Sequence, residues 1–251
     1  MSPQQQDRPY RKAKVVTLVQ RKGGSGKSTV TVNLAAVAGE NNPPESPEEN
    51  CPVVAGGIDA QGSMEEWSRR VPEDKLPFDY VVTKGRLGEI PKLVDDPTVE
   101  RIYLDTPGFM DTNPDAALDA DPLGTGPAAE AMKEVLELTD LALVPITPDF
   151  LTHSPAEFTI ERVLKPRGVE FLVLINMWDS GSDRFHKDLE KLRDWCRARN
   201  YPYVKHAVRR YKLHAQAPEK GLTVIQYAES GTALRAREDF YKLALAIEQA
   251  L

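Results

Sequence analysis

Cysteine is nearly missing from this chain of 251 residues: Cys51 and Cys196 lie far apart and form no CxxC pair. A disulfide scaffold and a multi-cysteine zinc site are therefore excluded. No apolar run approaches the ~20 residues that a membrane-spanning helix needs, which excludes a membrane protein. The first residues, MSPQQQDRPYRKAK, contain no apolar stretch of the kind a secretory signal carries. An excess of positive charge is also absent. Thirty-two Lys and Arg against 38 Asp and Glu leave a net charge of −6. That argues against a protein that coats nucleic acid with its whole surface, but leaves room for a local basic face. There is no internal repeat. The length suits one domain, or at most two small ones, and the core needs no covalent staple. The expectation is a soluble, cytoplasmic protein.

What is present is a series of short apolar runs alternating with helical segments. Residues 1–13 are polar and read as a flexible tail; 14–251 read as a single domain. Lys14–Gln20, Pro52–Ile58, Arg101–Leu104, Leu141–Thr147 and Val169–Asn176 read as buried strands. Val30–Ala38, Leu87–Val94, Ala128–Leu138, Ala156–Leu164, Phe185–Arg199 and Thr232–Leu251 read as helices. Strands alternating with helices predict an α/β fold with a mostly parallel sheet covered on both faces. Residues 111–127, rich in Pro, Gly and Asp, predict a long loop directly after a strand end, where α/β proteins place function.

The strongest chemical signal is Arg21-Lys22-Gly23-Gly24-Ser25-Gly26-Lys27-Ser28-Thr29, set between a strand and a helix. Glycines let successive backbone N–H groups turn inward around a phosphate. The helix beginning near Lys27 points its positive dipole end at the same anion. Lys27 is placed to reach the β- and γ-phosphates, and the Ser28 hydroxyl to ligate Mg²⁺. Asp59, at a second strand end, is a carboxylate suited to hold an attacking water in line. Ile102-Tyr103-Leu104-Asp105-Thr106-Pro107-Gly108 resembles a Walker B strand, which implies that Asp105 would hold Mg²⁺, directly or through water.

The form Lys22-Gly23-Gly24-Ser25-Gly26-Lys27-Ser28 resembles the deviant Walker A box of the ParA/MinD family. Arg21 stands where the ordinary pattern has Gly. Asp59-Ala60-Gln61-Gly62-Ser63, followed by Trp67, is similar to that family's second box, with Gly57 and Ala60 departing from it. Val144-Pro145-Ile146-Thr147-Pro148 and Leu174-Ile175-Asn176 resemble two further strands of the family, and Arg209–Tyr227 a block near its C-terminus. The resemblance covers residues 14 to 250 and is closest to the short ParA type of partition protein. It implies a P-loop NTPase fold of about seven or eight strands, with ATP and Mg²⁺ as cofactors. It also implies weak intrinsic ATPase activity and an ATP-bound sandwich dimer in which Lys22 acts in trans on the partner's nucleotide. In the family, Asn176 would recognise adenine, completed by a stretch near Val208–Tyr211. Asp59 would orient water near Mg²⁺, and Thr106-Pro107-Gly108 would open a second switch loop. A ParB-like centromere-binding partner would stimulate hydrolysis.

Between Arg184 and Lys220 there are eleven Lys/Arg and four Asp/Glu, a local excess of +7. The resemblance implies non-specific binding of nucleoid DNA by this half, with Arg184, Lys187, Arg209, Arg210 and Lys212 as the candidate contacts. Four other functions share the scaffold or part of its chemistry. A MinD-like membrane-cycling regulator would want a basic amphipathic C-terminus, whereas Glu238–Leu251 holds more acid than base. An ATP-dependent ligase resembling dethiobiotin synthetase would need neither Lys22 nor the basic half. A metal-cluster carrier would need cysteines the chain lacks. A nucleotide-gated DNA-binding module without significant hydrolysis completes the set.

Overall fold

The side chains of the strands sort by parity. Val15, Ile102, Leu104, Ala142, Val144, Ile146, Val173 and Ile175 bury on one face of a sheet; Val16, Leu18, Tyr103, Leu141, Leu143 and Leu174 bury on the other. This two-residue alternation, apolar on both sides, is what a sheet covered by helices demands. The computed structural model describes residues 13–44, 46, 50–58, 65, 67, 69–71, 76–108, 120–227 and 230–251. The tail before Ala13, Asp59 with the box that follows it, and residues 111–119 of the long loop lie outside the described residues.

The strands are β1 (Lys14–Leu18), β2 (Val53–Gly57), β3 (Asp79–Val82), β4 (Arg101–Asp105), β5 (Leu141–Ile146) and β6 (Phe171–Ile175). They form one sheet in the order β3-β2-β4-β1-β5-β6, and every pairing is parallel. The helices are α1 (Lys27–Asn41), α2 (Glu89–Asp95), α3 (Pro127–Leu138), α4 (His153–Phe158), α5 (Lys187–Ala198), α6 (Leu213–Glu219) and α7 (Gly231–Glu248). Helix α4 runs on as a π-helical stretch, Thr159–Leu164, and a 3₁₀ turn, Lys165–Arg167. Helix α1 is buried over eleven of its fifteen residues, Lys27 among them, because it lies between the sheet and α7. The expected loop 111–127 is anchored at its C-terminal part: Asp121 pairs with Arg167 at 2.7 Å and with Lys133 at 3.4 Å.

The sheet has six strands among the described residues, not seven or eight. The four-residue edge strand β3 is too short and too exposed to announce itself as an apolar run. Residues 201–210 run parallel to β6. Val173 N–H donates to Pro202 O, Val204 N–H to Val173 O, Val208 N–H to Ile175 O and Trp178 N–H to Val208 O. Only two isolated bridges result, at Tyr203 and Arg209. Pro202 lacks a donor, and the Arg209 N–H turns away from the sheet to Asp239 Oδ2 at 3.0 Å.

Candidate nucleotide site

Strand β1 delivers the chain to the glycine loop, and α1 leaves it with no side-chain cap at its N-terminus. Its first N–H groups therefore remain for an anion. A Cβ on Gly23 or Gly24 would meet nothing within 4 Å, so the cradle is open on that side. Gly26 is different. It sits at φ 86°, and a Cβ there would lie 2.4 Å from Asn176 Nδ2 and 2.9 Å from the Met177 methyl. Only glycine fits. The same Asn176 amide donates to Ser25 O at 2.8 Å, so the end of β6 clamps the loop. Asn176 is itself buried.

Two residues read as Mg²⁺ ligands meet. Ser28 Oγ donates to Asp105 Oδ2 at 2.5 Å, and Asp105 is only 4% exposed. Thr106 Oγ1 donates to Leu18 O at 2.7 Å, tying the strand that carries Asp105 to β1. Gly108 then passes close to the loop: a Cβ on it would be 3.1 Å from Arg21 O and 3.3 Å from Gly23 N. The buried Lys27 ammonium donates to Gln20 O at 3.3 Å. Among the described residues no group of three His, Cys, Asp or Glu is placed to hold a metal alone. The donor set fits a hard cation completed by phosphate and water, which is how Mg²⁺ binds. Ser28 and Asp105 are the residues that would hold it, with the loop N–H groups and Lys27 on the phosphates.

Lys22 stands at the mouth of the loop, its ammonium 3.4 Å from Asp149 Oδ2. The Leu151 N–H, and then Lys22, hold the Asp149 carboxyl below its usual range. Thr29 turns its carbonyl to Asn33 Nδ2 at 2.8 Å. Together with Ser28, Val32, Asn33, Trp67, Ala217, Pro218 and Leu222, it lines a cavity of about 210 Å³ beside the loop.

Sequence reasoning missed three supports. Gln20 is fully buried; its Nε2 donates to Pro145 O at 3.0 Å. Thr159, first residue of the π-helical stretch, accepts from Arg21 N–H at 3.2 Å. Such stretches often accompany functional sites. Asp239, on the buried side of α7, accepts from His206 Nε2 at 2.8 Å and from Arg209 Nε and Nη2 at 3.0 and 2.6 Å. Burial pushes its carboxyl up, but the bonds from His206 and Arg209 outweigh this and hold it below the ordinary range. One signal was readable: Asp239 is an acid in the apolar stripe of the last helix.

Arg209 is accordingly not a free surface cation. Its guanidinium is engaged by Asp239 and by Glu238 at 3.3 Å, and as a DNA contact it would have to leave them. Arg184, Lys187, Arg210 and Lys212 are exposed. Along α5, by contrast, Lys191, Arg193 and Arg197 pair with Asp188, Glu190 and Asp194.

No protein-family model matches the chain. A curated relative, "Maintenance of carboxysome distribution protein A" of Gloeobacter kilaueensis, is 28% identical over 232 residues, 92% of each chain. A plasmid partition protein of Borrelia burgdorferi B31 bound to AMPPNP superposes with a TM-score of 0.61 at 12% identity, covering 94% of this chain and 99% of its own. The septum site-determining protein MinD of Pyrococcus horikoshii, complexed with Mg-ADP, does so with a TM-score of 0.62 at 18% identity, covering 94% and 96%. The parallel α/β architecture expected from the sequence is that of these proteins. In fold the chain is similar to these partition and septum-site proteins, and in sequence to the carboxysome-distribution protein.

Proposed function

We propose that residues 14–251 form one Mg²⁺-dependent ATPase domain that positions or partitions a cargo inside the cell. ATP drives a sandwich dimer, the dimer rides on DNA of the nucleoid, and a cargo-bound, ParB-like partner resets it by stimulating hydrolysis. The observation that carries this reading is the meeting of Ser28 and Asp105 under an open glycine cradle, with the half-buried Lys22 at its mouth. Lys27 neutralises the β- and γ-phosphates, Ser28 and Asp105 hold Mg²⁺, and Asp59 orients water. Lys22 crosses to the partner's nucleotide. Asn176, whose Nδ2 is engaged with Ser25 O, offers its Oδ1 as acceptor to the adenine amino group. Intrinsic turnover is slow because the site supplies positioning and charge and waits for its partner. Arg184, Lys187, Arg210 and Lys212 supply the phosphate contacts, doubled by dimerisation.

The experiment is light-scattering mass with ADP and with a non-hydrolysable ATP analogue, each with Mg²⁺, followed by duplex DNA binding across a salt series. A dimer formed with the analogue alone, lost in Lys22→Ala, with DNA affinity falling steeply in salt, is the expected result. In Ser28→Ala the Mg²⁺ dependence of nucleotide binding falls at least tenfold. A monomer in both states that ignores DNA overturns the reading and favours a ligase on this scaffold. A MinD-like cycle has equal support from the fold; binding to anionic vesicles but not to DNA selects it.

A further inference from the structure

Phe185 is the most exposed large apolar side chain among the described residues, at 83%. The loop that carries it is not loosely built. Asp179 Oδ1 accepts from Gly181 N–H at 3.0 Å and Ser182 N–H at 3.2 Å. Asp183, buried, accepts through Oδ2 from Trp178 Nε1 at 2.9 Å and from Asp188 and Leu189 N–H at 3.1 Å each. His186, directly after Phe185, is held at φ 56°, with its ring edge-on to Trp178 at 5.1 Å. A left-handed conformation at a residue other than glycine persists only when its surroundings enforce it. A loop pinned on both sides, with a strained residue beside its tip, presents the ring instead of letting it fold back onto the core.

Exposed cations stand around the ring, with Asp179, Asp183 and Asp188 in the same stretch of chain. Arg184 and Lys187 flank it in sequence, and the Lys187 ammonium lies 6.0 Å from the ring centroid. Arg210 comes alongside through its N–H, which donates to Trp178 O at 2.8 Å, and Lys212 follows. None of these four is within ion-pair distance of a carboxylate among the described residues, whereas the remaining cations of α5 are paired. Four exposed cations without a direct ion pair among the described residues therefore lie near one exposed aromatic ring, with Asp179 acting electrostatically on Arg210.

We infer that Phe185 is a wedge that enters duplex DNA between base steps while Arg184 and Lys187 hold the flanking phosphates; this rests on the DNA-riding reading above. Partly unstacking a step with an apolar side chain, set among cations on the phosphates, is an established way to bind DNA without reading its sequence. A lipid surface is a poorer match. Interfacial anchors need a broad apolar face, and here a single ring stands among Ser180, Gly181, Ser182 and His186.

The test uses the full chain with Mg²⁺ and a non-hydrolysable ATP analogue, and a short mixed-sequence duplex carrying 2-aminopurine. Wild type binds and brightens the 2-aminopurine as its stacking is lost. Phe185→Ala binds about tenfold more weakly, in line with the value of one stacked base. It leaves the base dark, with an unchanged slope of affinity against salt. Phe185→Trp restores both signals. Arg184→Ala and Lys187→Ala each flatten the salt slope by about one counterion. If wild type binds DNA and Phe185→Ala matches it in affinity and brightening, the wedge is refuted while the DNA reading stands. If wild type ignores DNA at every salt concentration, that reading fails and takes the wedge with it. If Phe185→Ala abolishes the analogue-dependent dimer, the ring belongs to a subunit contact. If it abolishes binding to phosphatidylcholine/phosphatidylserine vesicles that wild type binds, the ring is a membrane anchor. Either result overturns the inference.

Discussion

Replacing Asp239 by alanine removes the one acceptor shared by His206 Nε2 and by the Arg209 N–H, Nε and Nη2. The Arg209 side chain is 19% exposed and Asp239 is not exposed at all. The charge left behind is therefore largely cut off from water. Breaking a buried pair by removing one partner costs about 3–5 kcal/mol. Arg209 keeps Glu238 at 3.3 Å and the Arg235 carbonyl at 3.0 Å, so the lower end, about 3 kcal/mol, is the expectation. For a chain of this size each kcal/mol moves Tm by roughly 2–4 °C, giving a fall of about 6–12 °C. Thermal melting at pH 7, at low and at high salt, reads it, and the loss persists in salt because the pair is shielded. In an Arg209→Leu background, Asp239→Ala costs markedly less, since no stranded cation remains. A loss below about 1 kcal/mol, or simple additivity of the two changes, would refute the reasoning. It would also return Arg209 to the surface cations available to a ligand.

Two further changes probe the site and the acid limb of stability. Gly26→Ala forces a Cβ to within 2.4 Å of the Asn176 amide at a φ of 86°. It should abolish binding of a fluorescent ATP analogue while far-UV circular dichroism stays unchanged; retained binding would show that the clamp between β6 and the loop is dispensable. His214 is held below its ordinary pKa by burial, and its Nε2 is buried with no hydrogen-bond partner among the described residues. The unfolded chain then takes up a proton first. Stability from this residue is intact above the unfolded value of about 6.5 and is lost as pH falls below it. His153 is likewise lowered by burial and adds in the same direction. Urea midpoints at pH 7.5 and 5.5 should differ less in His214→Leu than in wild type; an equal difference in both would show that His214 does not contribute.

Local patterns in the chain anticipated a good part of this. The five apolar runs read as strands are strands, because a strand buried on both faces has to be apolar at every position. The glycine loop, Ser28 and Asp105 came from chemistry written into contiguous residues. Helix ends were less legible. The helix expected from Phe185 begins at Lys187, since Asp183 accepts from the Asp188 and Leu189 N–H groups and Phe185 is thrown outward. The last helix begins at Gly231, capped by Ser230 Oγ on the Ala233 N–H at 3.1 Å. The segment expected as one helix from Ala156 changes to π-helical form at Thr159, whose hydroxyl reaches back 138 residues to the Arg21 N–H.

Failures of the sequence reading share a cause: the decisive partner was distant in the chain. Counting charges between Arg184 and Lys220 treated every cation alike. The structure divides them into three sets. Arg209 is neutralised from within by an acid 30 residues away on α7. Lys191, Arg193 and Arg197 are balanced by neighbours on their own helix, and Arg199 by Glu157. The remainder, Arg184, Lys187, Lys205, Arg210, Lys212 and Lys220, forms no ion pair among the described residues, though Asp179 acts electrostatically on Arg210. Only the remainder bears on an anionic ligand, because a paired cation must first give up its carboxylate to reach a phosphate. An excess of seven therefore overstates the number of phosphate contacts a monomer makes. The salt dependence of binding should report no more than about six contacts per subunit, from Arg184, Lys187, Lys205, Arg210, Lys212 and Lys220.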